Sequence, residues 1–221
     1  YFVDAYAADG RLDSRAVNDG PGERVFSFDY DGHDRVTAQT AYGTVPYPNL
    51  TTGFTYDGLN RQKSVTDPRG IVTATDYDLT GRQTLLTEDS GGALERQTAF
   101  AYNRLSQLTS QTAQNKSSTG SSLAAQATHF RYDSLGRLLR TIYPDSAANP
   151  DSPTCTDCVT LAYDFAGRTI SRTDQRGQVT TMAYDRRSLL LTRTTGTDRD
   201  TFAYDALGRV QSAQRGTAAN P

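Results

Sequence analysis

Tryptophan is absent from this 221-residue chain, methionine occurs once, and cysteine and histidine occur twice each. Two cysteines, Cys155 and Cys158, cannot complete a four-thiolate zinc centre by themselves. His33 and His129 are the only imidazoles, and neither lies beside a nucleophile pattern. Ser-His or Cys-His catalysis is therefore not expected, and the chain reads as no enzyme. No apolar run reaches the ~18 residues of a membrane-crossing helix, and no signal peptide is visible. An excess of one charge is missing too. Lysine and arginine number 23 against 25 acidic residues, a net charge of −2 that argues against nucleic acid as an electrostatic partner. Hydrophobic residues make up 36% and mean hydropathy is −0.62, low for a globule with a deep core.

What is abundant is tyrosine, with 13 copies, alongside threonine and valine, which suit half-buried sheets. Internal repetition decides the fold if it is present. Nine tyrosines fall into register: Tyr6, Tyr30, Tyr56, Tyr77, Tyr102, Tyr132, Tyr163, Tyr184 and Tyr204, spaced 20–31 residues apart. The clearest copies run from Tyr77-Asp78 to Gly81-Arg82, Tyr132-Asp133 to Gly136-Arg137, Tyr163-Asp164 to Gly167-Arg168 and Tyr204-Asp205 to Gly208-Arg209. Tyr30-Asp31 and Tyr56-Asp57 begin variants with Asp34 and Asn60 in the glycine slot. Copies from Tyr102 (YNRLSQL) and Tyr184-Asp185 (YDRRSLL) are degraded, and the first, from Tyr6 (YAADGRL), lacks the Asp.

Each slot has a physical reading. Gly, Asn and Asp tolerate positive φ, so the fifth residue is expected to be left-handed and to close a tight turn. The Asp after Tyr can accept backbone N–H bonds across that turn. Two residues before the Tyr stands a large apolar group in most copies (Phe28, Phe54, Phe100, Phe130, Leu161, Met182, Phe202). That spacing puts the pair on one face of a strand. Arg at the turn exit is expected to pair with Asp of its own or the neighbouring unit. The unit is thus strand, four-residue turn, strand.

A second set of turns lies between units, at Asp67-Pro68-Arg69-Gly70, Asp174-Gln175-Arg176-Gly177, Asp89-Ser90-Gly91-Gly92 and Asp19-Gly20-Pro21-Gly22. Two turns per repeat predict an all-β array over residues 1–221, about nine tandem hairpins in a continuous antiparallel meander. Such a sheet is expected to curve and spiral, because a flat ribbon of about eighteen strands would expose long edges. Loop insertions are expected near 112–127, a low-complexity mobile stretch, and 144–158. No helical period stands out, and Leu123–Thr128 alone has room for one short helical turn. The chain opens at Tyr1-Phe2-Val3 and stops at Asn220-Pro221, and is expected to be a piece of a longer polypeptide.

At these residues the chain resembles the YD-repeat, or Rhs-repeat, family: Rhs toxins, wall-associated repeat proteins, the B and C components of Tc insecticidal toxins, and teneurin-like shells. The resemblance covers Tyr6 to about Gly216. It implies a β-strand spiral forming a hollow cocoon, of which this chain would be one wall segment. In toxin members such a shell encloses a variable C-terminal toxic domain, delivered through a secretion system or pore, as in interbacterial competition. The implied role is non-catalytic encapsulation, with no cofactor. Implied partners are the rest of the shell, its toxin and possible secretion machinery; the implied location is secreted or cell-surface. Asp67-Pro68-Arg69-Gly70 looks like the Asp-Pro-x-Gly motif of the self-cleaving plug in that family. It lies mid-array and has a sister copy at Asp174–Gly177, so it reads as an inter-repeat turn.

Cys155-Thr156-Asp157-Cys158 is the sharpest local motif. It admits a small disulfide staple, half a metal site with ligands from elsewhere, or a redox pair. Its Pro- and Ser-rich flanks differ from the strand-to-helix setting of a thioredoxin-type site. The alternative class of function is a cell-surface module that binds carbohydrate or protein through exposed Tyr and Arg.

Overall fold

The computed structural model describes residues 2–18, 23–42, 48–117, 119–145, 155 and 157–217. The fold is all-β, with eighteen strands and, among the described residues, no helix. The strands follow the repeat as hairpins. They are β1 (Phe2–Tyr6) with β2 (Leu12–Asn18), β3 (Glu23–Tyr30) with β4 (Val36–Tyr42), β5 (Leu50–Tyr56) with β6 (Gln62–Thr66), and β7 (Val72–Tyr77) with β8 (Gln83–Glu88). Then come β9 (Arg96–Tyr102), β10 (Leu108–Asn115), β11 (Gln126–Tyr132) with β12 (Leu138–Ile142), and β13 (Val159–Tyr163) with β14 (Thr169–Thr173). The last are β15 (Val179–Tyr184) with β16 (Leu190–Thr195) and β17 (Asp198–Tyr204) with β18 (Val210–Thr217).

The chain packs as two units, one of Tyr1–Phe100 with Thr112–Ala125, the other of Ala101–Gln111 with Gln126–Pro221. In the first, each strand from β1 to β8 pairs antiparallel with its successor; in the second, each from β11 to β17 does.

Two registers recur. Within a hairpin the Tyr faces the residue six positions later, as in Tyr30↔Val36, Tyr56↔Gln62, Tyr163↔Thr169 and Tyr204↔Val210, with an irregularity just before the Tyr. Between units, the residue three before the next Tyr faces the residue two beyond that position. The pairs are Ser14↔Ser27, Ala38↔Gly53, Ser64↔Ala74, Arg140↔Thr160, Ser171↔Thr181 and Thr192↔Thr201. The inter-unit register is invariant although the spacing of the units is not.

Face assignment follows the expected period of two. In β5, β13, β15 and β17 the residue between the apolar group and the Tyr (Thr55, Ala162, Ala183, Ala203) is exposed while both flanking side chains are half-buried. Full burial is rare. Among the described residues only Ile142, Cys158, Thr87 and Thr141 are buried. The accessible surface is 14642 Å², against about 10,000 Å² for a compact globule of this mass. Core burial therefore supplies little, and the strand ladder with its side-chain ties must hold the array.

Two sequence expectations change. Residues 112–127 are not a long loop. β10 runs to Asn115, Lys116 bridges Ser122, and Ser117 N donates to Ser121 O around a turn in which Gly120 has φ 81°. The Ser- and Thr-rich composition hides a small hairpin because hydroxyls tie its turn, Ser117 Oγ lying 2.8 Å from Thr119 Oγ1. Leu123–Thr128 forms no helical turn; it is extended and enters β11 at Gln126, with Leu123 N donating to Asn115 O. Of the 144–158 insertion, residues 146–154 and Thr156 lie outside the described residues, as does the Asp19–Gly22 turn.

Candidate functional site

The repeat motif builds a clamp, and it starts in the turn. All nine fifth-slot residues have positive φ, from 61° at Asp34 and Ser106 to 88° at Gly81. In each hairpin the backbone N–H of this residue donates to the carbonyl of the Asp-slot residue, and the Asp-slot N–H donates to the carbonyl at the Arg slot. A turn followed by a left-handed residue is the arrangement of a short hairpin loop closed by a bulge. Two inter-unit turns copy it. Gly70 N donates to Asp67 O and Gly177 N to Asp174 O, with φ 83° and 78°. Asp67 Oδ1 accepts from Arg69 N and Ile71 N, and Asp174 Oδ1 from Arg176 N and Gln178 N. The β6–β7 and β14–β15 turns thus reuse the hairpin design, whereas β16 and β17 join through a two-residue turn, Thr195 facing Asp198, with Gly196 at φ 59°.

The Asp supplies the next layer. One oxygen accepts two backbone N–H groups, two and four residues on: His33 and Arg35 for Asp31, Leu59 and Arg61 for Asp57, Leu135 and Arg137 for Asp133, Ala166 and Arg168 for Asp164. Asp78, Asp185 and Asp205 repeat this. The other oxygen takes the guanidinium Nε at 2.6–2.7 Å in Asp31–Arg35, Asp57–Arg61, Asp78–Arg82, Asp133–Arg137, Asp164–Arg168 and Asp205–Arg209. These donors hold the carboxyls below their ordinary range. Asp31 is lowered to about 2, chiefly by the Arg35 guanidinium. Asp57, Asp133 and Asp164 are lowered chiefly by the turn N–H of the arginine itself.

The rest of each guanidinium reaches the next hairpin. Nη1 of Arg61, Arg137 and Arg168 donates to the carbonyls of Asp78, Asp164 and Asp185 at 2.8, 3.0 and 2.7 Å. Arg35 reaches Asp57 O at 3.3 Å and Asn60 Oδ1 at 2.8 Å. The same four guanidinium groups sit over the next tyrosine ring, at 4.8 Å for Tyr56, 4.7 Å for Tyr77 and Tyr163, and 5.0 Å for Tyr184. Each ring reaches back: the hydroxyls of Tyr30, Tyr56, Tyr77, Tyr132, Tyr163, Tyr184 and Tyr204 donate to the carbonyls of Leu12, Val36, Gln62, Leu108, Leu138, Thr169 and Leu190. Arg and Tyr therefore cross between neighbouring hairpins in opposite directions.

The irregular copies rebuild the clamp from other residues. Beside Tyr102, Asn103 accepts from Leu105 N and Gln107 N, its Nδ2 donates to Gln107 Oε1, and Gln107 Nε2 donates to Gly136 O at 2.9 Å. An amide pair thus replaces the ion pair. After Tyr184 the exit slot is Leu189, and Arg187 takes over. Its Nε donates to Asp185 at 3.1 Å and its Nη1 to Asp205 O and Ala206 O at 3.3 and 3.2 Å. In the first unit Ala7 holds the Asp slot and Asp9 pairs Arg11 instead. Sequence reading scored these copies as degraded because it counted identities at fixed positions. The signal lay in paired exchange, Asn/Gln for Asp/Arg, and in an arginine moved from the sixth slot to the fourth.

Other candidates fall in place around this ladder. Cys155 and Cys158 are joined as a disulfide, with Cys158 buried beside β13. His33 lies in its turn, and His129 faces Ile142 in the β11–β12 register. Among the described residues no cluster of three or more His, Cys, Asp or Glu could hold a metal. In the first unit an open cleft of about 590 Å³ has Ile71, Leu94 and Leu123 in its wall. Its cations are paired: Arg69 with Asp67, Arg96 with Glu88, Lys116 with Glu95.

Fold and clamp define a tandem β-hairpin repeat protein in which one motif both turns the chain and ties successive hairpins. The family model described as RHS Repeat matches residues 56–93, and the same Tyr-Asp hairpin pattern recurs along the rest of the described chain. No curated protein sequence matches the chain. Among solved structures, the crystal structure of TcdB2-TccC3-TEV is similar in fold, with a TM-score of 0.68 at 15% identity over 98% of this chain and 12% of that one. The structure of TcdB2-TccC3 without its hypervariable C-terminal region gives 0.56 at 15% identity, over 99% of this chain and 14% of that one. The chain thus spans about an eighth of each of these two structures.

Proposed function

We propose that this chain is a non-catalytic wall segment of an Rhs-type shell, whose complete form encloses a toxin domain for delivery. One observation carries the reading: the repeated Asp closes its own turn and aims the Arg, and Arg and Tyr spend their remaining polar atoms on the neighbouring hairpins. A ladder of that kind serves to prolong a sheet. The fold likeness to TcdB2-TccC3 along nearly the whole chain supports the same role. Its partners on this reading are the flanking shell and the enclosed domain, and its place is outside the producing cell.

The test is limited proteolysis of the intact parent polypeptide. The enclosed domain is expected to resist protease, and Arg137→Ala with Arg168→Ala is expected to expose it. Equal cleavage of the enclosed domain and of the same domain made alone would overturn encapsulation.

One observation favours a surface-binding reading as well. The hairpin tips expose single apolar side chains, Leu79 at 99%, Phe165 at 113% and Leu207 at 78% relative exposure. Glycan or protein binding by the purified chain, lost on changing Phe165 and Leu207 to Ser, would favour that module over a plain wall.

A further inference from the structure

Three of the four buried residues among those described meet at one joint: Thr141 at 9%, and Ile142 and Cys158 at 2% relative exposure. The joint is β12 against β13. Its ladder has two residue pairs, Arg140↔Thr160 and Thr141↔Val159. The joints at β2–β3, β4–β5, β6–β7, β8–β9, β14–β15 and β16–β17 have three to five. This joint also carries the longest connection between named strands, the sixteen residues from Tyr143 to Cys158, and both cysteines of the chain lie in it.

The two ends of this joint are held differently. At the turn end the clamp is complete: Arg137 donates to Asp164 O at 3.0 Å and stacks on Tyr163 at 4.7 Å, and Tyr163 donates to Leu138 O at 2.8 Å. At the connection end the register, continued one step, sets Ile142 opposite Cys158, both shut off from solvent. The Cys155–Cys158 disulfide ties the last residues of the connection to that buried pair. Cys155 is its more accessible partner, half-buried where Cys158 is enclosed.

We propose that the Cys155–Cys158 disulfide is a reducible latch on the β12–β13 joint, closed outside cells and opened by a dithiol inside them. The direction rests on the delivery reading above, since disulfides persist in oxidising surroundings and are reduced in the cytosol. A thiolate of the dithiol attacks the Cys155 sulfur, the S–S bond breaks, and Cys158 leaves and takes a proton. The second thiolate of the dithiol then displaces Cys155 from the mixed disulfide. Two electrons and two protons pass to the cysteines, and the dithiol ends as a disulfide. Cys158 stays against Ile142 as a small apolar side chain. Cys155 is released, and two ladder pairs are left to hold the entry to β13. Opening is local, because the clamp at Arg137 and Tyr163 is untouched.

The test is backbone hydrogen exchange, read by mass spectrometry on the full 221-residue chain before and after dithiothreitol. Reduction should speed exchange at Arg140–Ile142 and Val159–Leu161 about tenfold, the scale of releasing a short closed loop. The β16–β17 joint should not change. Cys155→Ser, which leaves Cys158 buried, should exchange like the reduced chain and ignore dithiothreitol. Equal exchange with and without the bond overturns the latch, as does equal acceleration at every joint, which would make the disulfide a general support. So does a response to dithiothreitol in the Cys155→Ser chain, or alkylation of both cysteines in the untreated chain. Encapsulation is judged separately, by protease on the parent polypeptide: the latch can fail while the enclosed domain stays protected, and the reverse.

Discussion

The guanidinium of Arg168 lies 5.0 Å above the ring of Tyr184, while its Nε is fixed by Asp164 and its Nη1 by the carbonyl of Asp185. One side chain therefore closes its own turn and seats the next hairpin. Charge alone does not explain this, because the fork geometry is used in two directions at once.

Arg168→Lys is accordingly expected to behave more like Arg168→Ala than like the parent. Lysine keeps the charge but cannot hold Asp164 and cap Asp185 together. Loss of the stacking alone is expected to cost about 0.5–1 kcal/mol. Urea denaturation of the three chains checks it. A lysine variant as stable as the parent would reduce the clamp to a simple ion pair.

The tyrosine hydroxyl can be tested separately. Tyr163→Phe keeps the ring under Arg137 at 4.7 Å but removes the bond to Leu138 O at 2.8 Å. A loss of about 1 kcal/mol is expected, the net value of one hydrogen bond whose acceptor stays partly buried. The same change at Tyr6, whose partner is Asp4 in its own strand, is expected to shift denaturation less.

The left-handed slot makes a prediction with two signs. Gly167 has φ 81° and open space where a Cβ would stand, so Gly167→Ala meets only backbone strain, about 1–2 kcal/mol. Ser188 already bears that strain at φ 66°. Ser188→Gly is expected to stabilise the chain by about 0.5–1 kcal/mol, the relief being partly offset by the greater freedom of glycine when unfolded. Thermal melts of both variants should move in opposite directions.

Acid should loosen the array. The turn carboxyls are held below their unfolded value of ~3.9, Asp31 at about 2. A depressed carboxyl contributes stability that is complete above its unfolded pKa and is lost as pH falls through the folded one. Stability should therefore decline from about pH 5 to pH 2. Asp31→Asn with Arg35→Gln copies the Asn103–Gln107 pair and should flatten that hairpin's share of the decline. Denaturation midpoints across this range, in parent and double variant, decide it. An unchanged slope would mean that the turn carboxyls do not govern the acid response.

Much of this was legible in the residues. The fifth slot could be read because backbone conformation there depends on one residue, and even Ser106 and Ser188 obey it at φ 61° and 66°. The Asp cap was legible for the same local reason. The destination of the arginine was only half legible: pairing with Asp followed from proximity in sequence, but its seat on the next tyrosine depends on the inter-unit register, which no single repeat encodes. Substitution in pairs was invisible to position-by-position comparison, so Gln107 and Arg187 were passed over. The small hairpin at Lys116–Ser122 was missed because composition cannot tell a hydroxyl-tied turn from a slack one.

The unchanging inter-unit register has an evolutionary corollary. Tyrosines 20 to 31 residues apart meet their neighbours in the same alignment, so the joint is indifferent to how much chain loops out between strands. Whole hairpins can be duplicated, deleted or exchanged, and surface loops lengthened, without any compensating change elsewhere. Such a lineage can diversify by shuffling modules while its joints stay fixed.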